Sequence, residues 1–576
     1  MPGGKSYRFG RYRLQSQGGL LYCENRHVPL APKVAQTLLL LVESAGDVVE
    51  KEKFLKSVWG DAFIEEGSLT RTISVLRKAL HDGEKGQEFI ATVSKRGYRF
   101  VASVREIEKP RAPAADGKIM LAVLPFENLS DDHDQEYFSD GLTEEMITQL
   151  SRLNPELLGV IARTSAMMFK KTKKRIVEIG KDLGVDFILE GSVRRSGSRV
   201  RISAQLILVA DETHAWAKSY ERSLGDVLKL QSEVARAIAS EIQIKLTPRE
   251  ERRLAQLPSV SAEAYEAYLR GRHSWNKRTE EGMRQSIGYY EEAIQLHPRY
   301  AIAYAGIADS HVMLACRGMA PAKETFQSAK LAARKALDLD EGLGEAHASL
   351  AHVRLHDWDW KGLEKDFQRA IELDPSQAIV YYWYGEYLMS VGKPEEAIAV
   401  THQAHRMDPL SPVIGSSLAM ILYLARRYDQ ALRVLQHALE INPEHFLPHL
   451  RMGLVSVQIR KYDQAISHLK MAVKLSRQST ETQAALALAY AAAGKSKRAG
   501  EILAQLQDLR GRYVLPYNLA KAYAAGRNNE KAFAWLEIAY QGGNPDLIEL
   551  NSEPIFDGLR DDPRFTGLMR RVGWKV

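Results

Sequence analysis

Apolar residues recur along this chain in three rhythms, and each rhythm marks a different kind of structure. Over residues 68–80 they fall at Leu69, Ile73, Leu76 and Leu80, the spacing of one buried helical stripe. Ser68 stands just ahead of it, where an N-cap hydroxyl belongs. Earlier helices are predicted at Pro32–Ser44 and Glu50–Val58, and short strands at Tyr7–Leu14 and Leu20–Glu24 around a Gly18-Gly19 turn. A hairpin follows the third helix, with Phe89–Val93 and Tyr98–Val101 joined by Ser94-Lys95-Arg96-Gly97. The second rhythm mixes strands at Ile119–Phe126, Leu157–Ala162, Asp186–Arg194, Arg199–Ala210 and His214–Tyr220 with helices at Gln135–Leu153, Arg175–Leu183 and Val227–Leu246. Strands interleaved with helices predict an α/β layer domain.

The third rhythm is a repeat. Pro375, Pro409 and Pro443 lie 34 residues apart, each preceded by Asp374, Asp408 or Asn442. Ala397, Ala431, Ala465 and Ala499 keep the same step, and Ala532 follows at 33. Small residues let paired helices cross closely, while Asp/Asn-Pro ends one hairpin and starts the next. This pattern is identified as tetratricopeptide, with about eight units between Glu263 and Pro545. One early unit is stretched to 43 residues, from His297-Pro298 to Asp340-Glu341, and the tail from Leu550 reads as a capping helix. A Pro/Ala/Gly stretch at Lys109–Gly117 reads as a linker. The chain therefore divides into 1–105, a linker at 106–117, an α/β domain at 118–247, repeats at 260–545 and a cap at 546–576.

Charge sharpens this division. Of the formal +7 carried by 576 residues, +5 falls within residues 1–104, which suggests a polyanionic partner for that module. Cys23 and Cys316 are the only cysteines, so no disulfide framework exists and a reducing compartment is expected. No apolar run reaches the roughly 18–20 residues that span a bilayer, and the first residues lack a signal-peptide core. The expectation is a cytoplasmic protein without a membrane partner.

Opposite the buried stripe of the third helix stand Thr70, Arg71, Ser74 and Lys78, with Arg77 at the flank. Such a face fits the DNA major groove, where short polar and arginine side chains reach base edges. Lys95 and Arg96 at the hairpin tip can reach phosphates or the minor groove. The segments SLTRTISVLRKAL at 68–80 and FIATVSKRGYRFVA at 89–102 resemble the recognition helix and wing of OmpR/PhoB-type winged helices, in the version carried by CadC-like regulators. The resemblance implies that Thr70, Arg71 and Ser74 read bases. It gives Arg77, Lys78, Lys95, Arg96, Tyr98 and Arg99 backbone or wing contacts, although Arg77 and Arg99 could instead serve surface ion pairs and Tyr98 could pack the wing. The loop Trp59–Gly67 corresponds to one that can meet RNA polymerase in that family. Two departures are that no receiver domain precedes the module and no membrane segment follows it.

Downstream, LAVLPFENLS at 121–130 and YFSDGLTEEMITQL at 137–150 resemble the TolB-like (FlgO-like) α/β domain, which brings no agreed chemistry. The cluster Asp131-Asp132-His133-Asp134 and the run Lys170–Lys174 read as solvated loops rather than a metal site and an anion patch. His347, His352 and His356 invite a metal reading, but no third ligand stands at helical spacing on their face, so they are read as contacts between repeats. Trp358, Trp360 and Tyr381–Tyr387 read as mostly core. Cys316 reads as a core thiol. Nucleophile-elbow, Walker, His-Glu-x-x-His and kinase motifs are all missing, so no catalytic residue, cofactor or metal is expected. The expected fold is multidomain: an α+β winged helix, then a TolB-like α/β domain, then an all-α tetratricopeptide solenoid. The expected function is a bacterial one-component transcription regulator resembling winged-helix/tetratricopeptide activators of the HilA type. It would bind double-stranded promoter DNA, possess a protein partner on the repeat groove, and self-associate or touch RNA polymerase. The alternatives are a scaffold with a degenerate winged helix and a small-ligand sensor built on the α/β domain.

Overall fold

A computed structural model of the chain describes residues 6–15, 20–23, 26–59, 66–82, 88–107, 118–130, 135–197, 199–223, 226–255, 260–509 and 513–574. The Gly18-Gly19 turn, the Asp131–Asp134 cluster, residues 60–65 of the Trp59–Gly67 loop and residues 108–117 of the expected linker lie outside them. The chain forms two compact units, residues 1–117 and 118–576.

The first unit opens with strands β1 (Ser6–Phe9), β2 (Tyr12–Gln15), β3 (Leu20–Cys23) and β4 (Arg26–Val28). Helix α1 (Pro32–Glu43), strand β5 (Val48–Glu50), helix α2 (Lys51–Phe54) and a wider turn of helix at Leu55–Trp59 follow. Helix α3 (Glu66–Ala79) and strands β6 (Ile90–Val93), β7 (Gly97–Phe100) and β8 (Val104–Ile107) complete it. The first sheet runs β4-β3-β2-β1-β8 and the second β5-β7-β6, with every pairing antiparallel.

The single strand expected at Tyr7–Leu14 is instead the β1–β2 hairpin, and the reason is parity. Tyr7 and Phe9 occupy odd positions while Tyr12 and Leu14 occupy even ones, yet all four are buried. One strand would place the pairs on opposite faces. A turn at Gly10, whose φ of +54° suits glycine, pairs Phe9 with Tyr12 and Tyr7 with Leu14, so all four join one core.

The second unit begins with strands β9 (Ile119–Val123) and β10 (Glu127–Asn128), helix α4 (Glu136–Ser151), strand β11 (Leu158–Val160) and helices α5 (Arg163–Met167) and α6 (Ile176–Leu183). Strands β12 (Phe187–Ser196), β13 (Arg199–Leu208) and β14 (Thr213–Ser223) lead into helix α7 (Val227–Glu241). The sheet order β11-β9-β12-β13-β14 is mixed, with β9 parallel to both neighbours and β12 to β14 antiparallel. Leu121 and Val123 of β9 pack with α4 and α7, while Ala122 and Leu124 pack with α6, which gives three layers.

Sixteen helices among the described residues, from Ala262–Asn276 to Asn529–Gln541, pair into eight antiparallel hairpins. The stretched early unit arises because both helices of the second hairpin are longer, Ala301–Cys316 at 16 residues and Ala322–Leu339 at 18 against 13 and 14 in the fourth, and the loop between them is longer as well. The two helices of a hairpin differ in what covers them. In the fifth, Pro412–Leu424 buries every residue but Val413, whereas its partner Tyr428–Ile441 buries only Ala431, Leu435 and Ala438. A helix apolar on all sides needs cover on all sides.

Part of that cover comes from the tail. It forms turns at Pro545–Glu549 and Pro554–Leu559 and a helix at Pro563–Val572. It crosses the first helices of the third, fourth and fifth hairpins. The Pro545 carbonyl lies 2.9 Å from His356 Nδ1, Ser390 Oγ donates to the Ile548 carbonyl at 2.9 Å, and the Tyr423 hydroxyl donates to Glu553 at 2.6 Å. Trp360 and Trp574 donate to the Val572 and Ser390 carbonyls, and Trp358 stacks on Tyr540 at 5.2 Å. The expected open groove is filled along these hairpins by the chain's own tail.

The α/β region covers another part. Ala162 N donates to the Met407 carbonyl at 2.8 Å, and Asp408 accepts from Ser165 N and Oγ at 2.8 and 2.6 Å. Arg152 bridges Glu345 and Asp374 at 2.8 and 3.0 Å, and Glu144 of α4 pairs with Arg272. Asp374 and Asp408, which mark the repeat period, are thus buried anchors for the α/β region. Among the described residues, no helix is long and apolar enough to cross a membrane.

Burial and the neighbouring Glu144 carboxylate push the Glu145 carboxyl of α4 up to about 7. Burial lowers His405 and His445 to about 4. A raised carboxyl stabilises the fold only while protonated, so its contribution disappears as pH rises toward 7. A depressed imidazole's contribution disappears as pH falls below roughly 6.5. The urea midpoint of the full chain should therefore decline on both sides of about pH 6.5. Glu145→Gln should flatten the alkaline decline between pH 6 and 8, and an unchanged slope would refute that origin.

Candidate nucleic-acid interface

Helix α3 is held by one face and exposes the other. Leu69, Ile73, Leu76 and Leu80 are at most 1% exposed and pack with Leu38, Leu41, Phe54 and Phe100. Their 3.6-residue periodicity forces Thr70, Arg71, Ser74 and Lys78 outward, and all four are exposed. Val75, on the same face, is 46% exposed despite being apolar. The Thr72 hydroxyl donates to the Ser68 carbonyl at 2.9 Å and stays within the helix.

The β6–β7 hairpin lies beside α3. Its tip turns through Lys95, whose φ of +61° is left-handed, and Arg96 N closes the turn on the Val93 carbonyl at 3.1 Å. Gly97 is required for a different reason: a Cβ there would lie 2.0 Å from the Val49 carbonyl of β5. Strand β5 can therefore pair with β7 only because residue 97 lacks a side chain. Lys95 and Arg96 project exposed from the tip, and Arg99 is exposed on β7 between Val48 and Ala91.

The arrangement is a helix with an exposed polar face next to a hairpin tipped with cations. The family model described as "Transcriptional regulatory protein, C terminal" matches residues 25–100 and so spans α3 and the hairpin. Residues 117–236 match the "HilA/YgeH-like transcriptional regulator, second domain", and tetratricopeptide repeat models match 367–399, 388–450 and 422–488. The transcriptional regulator HilA of Salmonella typhimurium is 26% identical over 437 residues, 75% of each chain.

Residues 25–100 are an OmpR/PhoB-type DNA-binding domain of the kind transcriptional regulators carry.

A Rhizobium meliloti protein provisionally named adenylate cyclase 3 is 36% identical over 245 residues, 42% of this chain and 40% of that one. The solved DNA-binding domain of Escherichia coli CadC is 26% identical, covers 18% of this chain and 97% of itself, and superposes with a TM-score of 0.17.

The nine residues singled out from the sequence divide by position. Seven are exposed: Thr70, Arg71, Ser74 and Lys78 on α3, and Lys95, Arg96 and Arg99 on the hairpin. Two are built into the domain. Tyr98 is 7% exposed and meets the Phe54 ring edge-on at 6.1 Å. Arg77 Nη2 donates to the Ile90 carbonyl at 2.7 Å and to Thr92 Oγ1 at 2.9 Å, and its Nε lies 3.3 Å from Asp82. Asp82 also accepts from Phe89 N at 2.5 Å. Arg77 and Asp82 together fasten the end of α3 to the first strand of the wing.

Sequence reasoning passed over Val75, because an apolar residue one step from the stripe looks like core. Its signal was available, since position 75 follows Ser74 and faces away from Ile73 and Leu76. Arginines 71 and 77 should separate experimentally. Arg77→Ala leaves the buried Asp82 carboxylate without its partner, and the half-exposed pair should be worth about 1–2 kcal/mol in urea unfolding of residues 1–117. Arg71→Ala should leave that unfolding curve within about 0.5 kcal/mol of the parent. Equal effects would contradict the division.

Proposed function

We propose that the chain is a transcriptional regulator that reads a specific promoter sequence by laying α3 in the major groove while the wing grips the adjacent backbone. Thr70, Arg71 and Ser74 contact base edges, and Val75 meets a thymine methyl, the apolar group that the major groove exposes. Lys78, Lys95, Arg96 and Arg99 neutralise phosphates, and Arg77 and Tyr98 hold the wing at its angle to the helix. The observation that carries this reading is the exposed polar face of α3 beside an exposed cationic tip. A scaffold with a degenerate winged helix would need neither.

The remaining unit serves in this reading as the receiving body. Tetratricopeptide repeats imply protein interaction, and the partner would use surface that the tail and the α/β region leave open. The regulator would act in the cytoplasm on double-stranded promoter DNA without catalysing a reaction. Contact with RNA polymerase through the loop after α2, and self-association on paired half-sites, extend the same proposal. A second reading, that the α/β region also senses a small ligand, is favoured by a cleft of about 930 Å³ past the end of β9 and over the middles of β12, β13 and β14. Leu124, Phe126, Phe169, Lys170, Glu190 and Gln205 line it, and its size suits a small molecule.

Selection of bound sequences from a random pool, followed by retardation assays, tests the main reading. Arg71→Ala with Ser74→Ala should weaken binding to the selected site by about 5- to 150-fold, the worth of one bidentate base contact. Binding to unrelated DNA should change little. Lys95→Ala with Arg96→Ala should weaken both, and should reduce the slope of log affinity against log salt by about 2. Retention of an unchanged footprint by the first double variant would overturn the base-reading role.

A further inference from the structure

The repeat array contains a buried group of metal-ligating side chains that DNA binding leaves unused. Cys316 ends the helix Ala301–Cys316 of the second hairpin, and His352 and His356 lie one turn apart on Gly344–His356 of the third. One donor atom from each lies within 4.8 Å of the other two. From Ala378–Ser390 of the fourth hairpin, Glu386 places Oε2 3.8 Å from His352 Nε2. Donors from the second and third hairpins thus meet at one point, and Glu386 approaches it from the first helix of the fourth.

The donors are oriented as well as close. A carbonyl can only accept, so the 2.9 Å contact between the Pro545 carbonyl and His356 Nδ1 places the proton on Nδ1. That leaves the lone pair of His356 Nε2 facing His352 Nε2, 3.1 Å away. Two nitrogens each ~2.0–2.1 Å from one ion, at an angle near tetrahedral, would stand about that far apart. A backbone carbonyl behind a ligating imidazole is the usual outer partner of such sites. Glu386 Oε1 accepts from the Tyr382 hydroxyl at 2.6 Å, while Oε2 is buried with no hydrogen-bond partner. An orphaned carboxylate oxygen is costly inside a protein unless a cation or proton meets it. Stacking fixes both rings, His352 on Trp383 at 4.0 Å and His356 on Phe326 at 5.4 Å.

We propose that Cys316, His352, His356 and Glu386 bind one divalent transition-metal ion of the zinc class inside the repeat array. Thiolate and imidazole donors select zinc-like ions over magnesium or calcium. Charge balance favours the same assignment: the thiolate and the carboxylate together neutralise a 2+ ion, so the occupied site is a neutral buried group. Burial keeps the thiol protonated in the empty site. Binding therefore forms the sulfur–metal bond as the thiol proton leaves to solvent. Through the Pro545 carbonyl, the ion also braces the tail against the third hairpin.

Cobalt(II) added to the untagged, chelator-stripped full chain tests this, because cobalt reports its coordination in its spectrum. The expected result is uptake of one cobalt per chain. Visible bands of four-coordinate cobalt and a near-ultraviolet thiolate-to-cobalt band should appear, and zinc should remove both. Cys316→Ser, a small change at a half-buried helix end, should lose the near-ultraviolet band while keeping the parent's helical circular dichroism. His356→Gln should lose stoichiometric uptake. Zinc should raise the thermal midpoint of the parent but not of His356→Gln. A folded parent chain that takes up no cobalt would overturn the proposal, as would a Cys316→Ser spectrum identical to the parent's.

Discussion

The inner helices of the repeat array are apolar on nearly every side, and most of the second unit is arranged to keep water off them. Pro412–Leu424 presents only Val413 outside the core, a degree of burial that one neighbouring helix cannot supply. Two other parts of the chain complete it. The tail lies along the third to fifth hairpins, and α4 with α5 around Ser165 lies against the first, third and fourth. At about 25 cal/mol per Å² of apolar surface, leaving such helices exposed would outweigh any flexibility gained by an empty groove. The solenoid is therefore closed by its own sequence, and the polar groups that seat the tail and the α/β region are those that succeed in pairing when buried.

That requirement explains the placement of charge. Asp374, Asp408 and Glu553 are at most 4% exposed, a state carboxylates tolerate only when satisfied. Each has partners: Arg152 for Asp374, the Ser165 amide and hydroxyl for Asp408, and Tyr423 for Glu553. The first two acids sit before Pro375 and Pro409, so the residue that ends a hairpin also receives the α/β region. An acid needed for helix termination has become an interdomain lock. It follows that a partner's effect on the repeats and a ligand's effect on the α/β cleft act on one compact body. The exposed face of α3 belongs to the other unit and is organised by that unit's own core.

How much of this was legible in the sequence depends on whether the signal was local. Helix periodicity, the 34-residue step and the strand runs from Ile119 to Tyr220 are local, and the corresponding elements stand within a few residues of their expected ends. The β1–β2 hairpin was also written locally, in the switch from odd Tyr7 and Phe9 to even Tyr12 and Leu14, but the eye follows a run of aromatics more readily than its parity. The role of the tail was not local. Nothing near Pro545–Leu559 says that its carbonyls will meet His356 and Ser390, some 160–190 residues earlier in the chain. A shorter separation hid the group around His352: Cys316 and Glu386 come from the adjacent hairpins, 36 and 34 residues away, where a search for ligands at i+4 never looks.

The candidate DNA-binding residues show the same limit within thirty positions. Arg71 and Arg77 are the same residue type on the same helix, six places apart, and helical geometry puts neither within the Leu69–Leu80 stripe. What separates them is Asp82. Its carboxylate, nearly excluded from water, sits where the chain leaves α3 and can accept at once from Arg77 and from the amide that opens the wing. Among the described residues no ion pair joins Arg71 to an acid, and its side chain is exposed. An arginine on this helix thus becomes a brace where a buried acceptor is waiting for it and otherwise stays at the surface. Net charge cannot make that distinction, because both arginines add equally to the +5 of the N-terminal module.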